Sequence, residues 1–123
     1  MDKLIHGIVA GGDARFYTAV TTATVTEAVL RHGTSPTTSA ALGRMLTGAA
    51  LLGASFKDFD RLTVKVEGSG PVGGITAEAT KEGTVRGYVK NPSAEVPAAE
   101  NGKFNVRGII GEGTFYVIRE FGF

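Results

Sequence analysis

Gly68-Ser69-Gly70-Pro71-Val72-Gly73 has the G-x-G-x-x-G spacing and follows a strand-like run. In a dinucleotide-binding enzyme, such glycines let backbone amides close on a pyrophosphate at the N-terminus of a helix. That chemistry requires a helix to come next. Here Gly74 to Thr80 alternates Ile75, Ala77 and Ala79 with Thr76 and Glu78, which is the period of a strand. The strand after it ends at Lys90-Asn91, without the acidic residue that would hold a ribose. A Walker lysine is also missing. Two readings stand side by side: a nucleotide-binding enzyme fragment using the Gly68–Gly73 loop, or a hairpin loop whose glycines permit positive φ or close packing.

The other reactive side chains are sparse. His6 and His32 are the only histidines, and neither has a Cys, His or paired carboxylate at metal-ligand spacing. No G-x-S-x-G elbow supports a serine nucleophile, and Ser39 falls inside a packing helix. There is no cysteine, so disulfides, thiolate metal sites and thiol catalysis are excluded for this chain. The formal net charge of +1 gives no electrostatic footprint for nucleic acid. Arg44, the odd charge in an apolar helix, is expected to pair with a carboxylate or to snorkel to the surface.

Apolar surface is then the remaining candidate site. Phe56, Phe59, Phe104, Phe115, Tyr116, Phe121 and Phe123 fall in or beside loops and the last strand. If contiguous, they would mark a surface for a client protein or a second copy.

The elements that would position them are readable from pattern. Lys3 to Ala10 and Ala14 to Val20 are strands joined by a Gly11-Gly12-Asp13 turn, a hairpin. Thr24-x-x-Glu27 has the spacing of a capping box and opens a short helix ending at Arg31. His32-Gly33 stops it, and Thr34 or Ser35 caps a long helix that begins at Pro36 and runs to Ala54. Leu42, Met45, Leu46, Ala49 and Ala50 recur along it at helical spacing. Its Ala40, Gly43, Thr47 and Gly48 would let another backbone come close. Lys57 to Arg61 is a polar loop. Leu62 to Glu67, Gly74 to Thr80 and Thr84 to Lys90 form an antiparallel meander. Ser93 to Glu100 is a loop, Asn101-Gly102 a tight turn, Phe104 to Ile110 is ambiguous, and Thr114 to Arg119 is a strand. The expected class is α+β: a mixed, mostly antiparallel sheet covered by a short helix and one long Ala/Gly/Leu-rich helix, in a single domain over 1–123. The N-terminus has no signal-peptide pattern, and a membrane span is not expected because Arg44 interrupts the longest apolar run. The aromatic end, Phe121-Gly122-Phe123, reads as a chain cut within a domain or as an end that docks on a second copy.

Three ordered blocks carry a resemblance: HGTSPTTSAALGRMLTGAALLG from His32, LTVKVEGSGPVGGI from Leu62, and VRGYVKNP from Val85. Together they closely resemble the N-terminal domain of the redox-regulated 33 kDa chaperonin family, the oxidation-activated heat-shock holdases. The match runs through nearly the whole chain and is looser over Phe104 to Phe123. The resemblance implies an ATP-independent, cytoplasmic, non-enzymatic holdase that binds unfolded or misfolded proteins, and a homodimer that could be domain-swapped. It implies neither a nucleic acid nor a membrane partner. In the family a separate C-terminal module binds zinc through four cysteines. None of those residues is present here, so no cofactor is expected in this chain.

Overall fold

A computed structural model describes residues 1–56 and 58–122. Strand β1 (Lys3–Val9) and strand β2 (Ala14–Val20) form the expected hairpin, turned by a short 3-10 segment at Ala10–Gly12. Helix α1 (Thr22–His32) and helix α2 (Pro36–Ser55) follow. Strands β3 (Arg61–Gly68), β4 (Gly74–Thr80) and β5 (Val85–Val89) make the meander. Helix α3 (Val106–Ile110) and strand β6 (Gly113–Glu120) complete the described elements. The larger sheet has strand order β5-β4-β3-β6, and the hairpin stands apart as a two-stranded sheet. The α+β expectation holds, and every described ladder is antiparallel.

Helix α1 is capped differently from the expected box. The carboxylate of Asp2 accepts from the amides of Ala23 and Thr24 at 2.9 and 2.8 Å, and also from the Thr24 hydroxyl. Glu27 turns away and pairs with Arg31 at 2.7 Å. Residues four apart face each other on a helix, and that pairing competes with capping. Gly33 ends the helix in left-handed geometry at φ 62°, as its type requires. Helix α2 starts at Pro36 with Ser35 at the cap position, yet the free amide of Thr37 is served by Glu95 from the distant loop at 3.1 Å. The same loop is tied down by Thr38, whose hydroxyl donates to the Ala94 carbonyl at 2.8 Å.

Leu42, Leu46 and Ala49 of α2 are fully buried against Leu62, Val64, Ile75, Ala77 and Ala79 of the sheet. The packing is close: a Cβ on Gly87 would lie 3.0 Å from the tip of Leu46, and one on Gly53 would lie 3.0 Å from the Ala79 methyl. Phe59 joins this core at 7% exposure. It is therefore a packing residue and not a surface contact, because it closes the end of the sheet under α2. Phe104 to Ile110, ambiguous by pattern, resolves into the α3 turn, with Asn105 accepting from Gly108 at 2.9 Å at its start.

Candidate functional site

The Gly68–Gly73 loop is not a phosphate cradle. A strand, β4, follows it, so the segment closes a β-hairpin. Its amides are already engaged: Ser69 donates to Glu112, Gly70 to Ile110 and Val72 to Ile109, at 2.8, 2.9 and 3.2 Å. A Cβ on Gly70 would sit 2.4 Å from the Ile109 carbonyl oxygen. Gly68 and Gly70 are small because the Ile109–Ile110 backbone passes over them, and Gly73 takes a positive φ of 78°, so the nucleotide-binding alternative is withdrawn.

The sheet itself builds a different site. Residues opposite each other in a ladder share a face. One face carries Phe115, Val66, Ile75 and Val89 in one row, and Val117, Val64 and Ala77 in the next. Helix α2 covers this face over β4, β5 and the Leu62–Val64 end of β3. It leaves β6 uncovered, so Phe115 is 58% exposed although it stands beside core residues. Val64, Val66, Ile75 and Phe115 form the floor of an apolar groove of about 730 Å³ beside the helix. Met45, Gly48, Leu51 and Leu52 of α2 form one wall, and Val106 and Ile110 of α3 form another, with Tyr17 of the hairpin reaching in. Arg44 stands at the α2 wall, exposed, and makes no ion pair among the described residues.

The opposite face is more polar and mostly accessible, with only Thr76 buried. Tyr116, Lys65, Thr76 and Tyr88 lie in one row, and Ile118, Thr63, Glu78 and Arg86 in the next. Arg86 pairs with Glu78 at 2.9 Å and Lys65 with Glu67 at 2.8 Å. The hydrogen bond between Lys65 and Glu67 holds the ammonium above its ordinary pKa and the carboxyl below its own.

The aromatic residues named from sequence therefore do not share one surface. Phe115 faces the groove and Tyr116 the more polar side. Phe56 and Phe121 flank the Arg119 guanidinium, which lies 5.1 and 4.8 Å from their ring centres. Phe104 is exposed on the loop before α3, Phe59 is buried, and Phe123 lies outside the described residues. Sequence reasoning missed the groove walls. Their signal was that α2 is apolar nearly all round, as expected of a helix that has neighbours on more than one side. A Cβ on Gly48, expected to admit a close backbone, would meet nothing within 4 Å, whereas one on Gly43 would lie 3.0 Å from a Val25 methyl.

Zinc held by four thiolates does not fit the residues present. The chain has no cysteine, and the described residues hold no cluster of three or more His, Asp or Glu suited to a metal ion. Among the described residues no helix is long and apolar enough to cross a membrane.

Comparison with known proteins agrees with the block resemblance. The 33 kDa chaperonin of Bacillus licheniformis is 49% identical over 123 residues, covering 99% of this chain and 43% of that protein. That of a Thermus thermophilus strain is 50% identical over 121 residues, covering 97% and 36%. A solved 33 kDa chaperonin (heat shock protein 33 homolog) from Thermotoga maritima superposes with a TM-score of 0.91 at 41% identity, over 96% of this chain and 41% of that one. The chain thus spans less than half the length of these relatives. Residues 2–122 match the family described as Hsp33 protein, and the chain belongs to that family.

Proposed function

We propose that this chain is a holdase module that captures unfolded polypeptide on apolar surface, without ATP and without making or breaking a covalent bond. The observation that carries this reading is the groove between α2, α3 and Val64, Val66, Ile75 and Phe115 of the sheet, apolar on its floor and most of its walls and open to solvent. An unfolding client exposes hydrocarbon, and each CH₂ group withdrawn from water contributes roughly 0.8 kcal/mol. Such binding needs area more than shape, so it is broad in specificity. The family membership supports a chaperone role. Action as one domain corresponding to the N-terminal portion of the relatives, a cytoplasmic setting and pairing of two copies belong to the same proposal.

Light scattering from a client enzyme that aggregates on heating tests it. The expected result is suppression that rises with the ratio of chain to client and does not depend on ATP. Phe115→Ala, which removes the most exposed aromatic of the groove, is expected to weaken suppression severalfold. No suppression by the folded wild-type chain would reject the reading.

A further inference from the structure

The segment between β5 and α3 is fastened to the head of α2 at one short stretch. The Ser35 amide donates to the Pro92 carbonyl at 2.9 Å. The Ser35 and Thr38 hydroxyls both donate to the Ala94 carbonyl, the second at 2.8 Å. The Glu95 carboxylate accepts from the Thr37 amide at 3.1 Å with one oxygen and from the Val96 amide at 2.9 Å with the other. Ala94 is buried and Val96 packs against the core. Beyond Val96 the segment bonds to itself, from Ala99 to Lys103 and from Gly102 to Ala99. Helix α3 is held separately, because Gly70 and Val72 donate to the Ile110 and Ile109 carbonyls and Ile109 is fully buried. Residues 92–104 are thus a strap with its own fastening.

We infer that Glu95 is the acid-sensitive pin of this strap: protonation of its carboxyl frees residues 92–104 from the head of α2 while α2, α3 and the sheet stay folded. Of the fastening groups, only Glu95 can change charge, and it is exposed, so protons reach it in the closed state. A helix head favours a negative partner, and a charged acceptor makes the stronger hydrogen bond, so the neutral acid grips less. No other charge competes. Helix α2 has no acid in its first turn, and its one charge, Arg44, lies two turns further on. Arg31 of α1 pairs with Glu27. Among the described residues, His32 at the end of α1, Lys90 beyond β5, and Glu100 and Lys103 of the strap make no ion pair with Glu95. Thr37, then the Val96 amide, holds the Glu95 carboxyl below its ordinary 4.5. Closure is therefore favoured above 4.5 and loses that support as the pH falls through the lower value of the closed strap. The device stands apart from the holdase reading, and its test involves no client.

Amide hydrogen exchange of the chain, followed by NMR and corrected for the intrinsic rate at each pH, tests it. The Ser35 amide reports closure, because it is bound to Pro92 and not to Glu95 itself. Strand β4, paired on both sides, reports the body of the fold. Between about pH 5.5 and pH 3.5, the ratio of Ser35 to β4 protection is expected to fall at least about threefold. The ratio of Ile109 to β4 protection is expected to hold. Glu95→Gln, neutral at every pH, is expected to show the low Ser35 ratio already at about pH 5.5 and no further fall. Asp2→Ala, which removes the carboxylate at the head of α1, is expected to keep the wild-type response. The pH series uses the wild type, so a variant that fails to fold leaves the test standing. Ser35 protection that tracks β4 throughout overturns the inference, since the strap then leaves only when the molecule unfolds. A folded Glu95→Gln chain that keeps the wild-type pH response overturns it by assigning the response to another group. Loss of Ile109 protection in step with Ser35 overturns the separate release of the strap.

Discussion

Asp2 and Glu95 each hold the start of a helix from outside it. Asp2 accepts from Thr24 and Ala23 at the head of α1, and Glu95 accepts from Thr37 at the head of α2. The Thr24 hydroxyl, then the Ala23 amide, lowers the Asp2 pKa from its ordinary 3.8, and Thr37, then the Val96 amide, lowers that of Glu95 from 4.5. A carboxyl depressed in the fold contributes stability above its unfolded pKa and loses it as the pH falls through its lower folded value. Thermal unfolding followed by circular dichroism should therefore show Tm falling as the pH drops through 4.5 and 3.8, the ordinary values of the two groups. Asp2→Ala and Glu95→Ala should each lower Tm at neutral pH, with the gap to wild type closing in strong acid. A gap of constant size would show that the carboxylates are not acting as charged caps. Neither role was readable from sequence, because both caps come from other parts of the chain. The local Thr24-x-x-Glu27 spacing gave the start of α1 correctly to within two residues but assigned the cap to the wrong carboxylate. Arg44 shows the opposite case: its position in an apolar helix predicted a carboxylate partner or a reach to the surface, and it is the second that the structure shows.

Helix α2 shows how far patterning carries at the level of an element. Its start at Pro36 and its buried Leu42, Leu46 and Ala49 follow from periodicity and capping rules, and so do the strands of the meander and the hairpin. What periodicity could not give is which of its small residues face a neighbour. Gly43 faces Val25 of α1 and Gly53 faces Ala79 of β4, each closely enough that a Cβ would lie 3.0 Å from a methyl, and Gly48 opens on the groove. Three substitutions separate these roles. Gly48→Ala adds a methyl into open space and removes the backbone freedom of an exposed helical glycine, so it should stabilise by about 0.5–1 kcal/mol in urea unfolding. Gly53→Ala sets a methyl 3.0 Å from one fixed on a buried strand, so α2 must lift and stability should fall. Gly43→Ala should lie between them, because Val25 can turn on its own side chain. Stabilisation by Gly53→Ala would mean that α2 is not seated on β4 as described. The G-x-G-x-x-G loop teaches the same lesson, since its Gly68 and Gly70 answer to a passing backbone that no local pattern encodes.

At the scale of the whole molecule, one helix layer covers β3, β4 and β5 of a four-stranded sheet and leaves β6 open, and a two-stranded hairpin forms a separate sheet with Ile5 and Ile8 more than half exposed. A hairpin of two strands is marginal in water without a further packing surface. The molecule therefore keeps a large apolar surface while its net charge is only +1. Capture on such a surface should respond to solvent in the direction of the hydrophobic effect. Sulfate, which strengthens burial, should improve client retention, whereas sodium chloride at about 0.5 M should weaken only the small contribution of Arg44. Steep loss of capture in sodium chloride would point to charge as the main attraction. With no cysteine in the chain, no thiol can gate the surface. Aggregation suppression measured with and without dithiothreitol, and with and without a zinc chelator, should be the same within error. That would separate it from the redox control that the family resemblance attaches to a cysteine module. A loss on adding dithiothreitol could not arise from any residue here, and it would move the activity to a contaminant or to a thiol on the client. Peroxide is the less clean probe, because Met45 lines the groove and its sulfoxide would make an apolar wall polar. Substituting Met45→Leu should remove any peroxide response while keeping capture, which would place that response in the groove and not in the client.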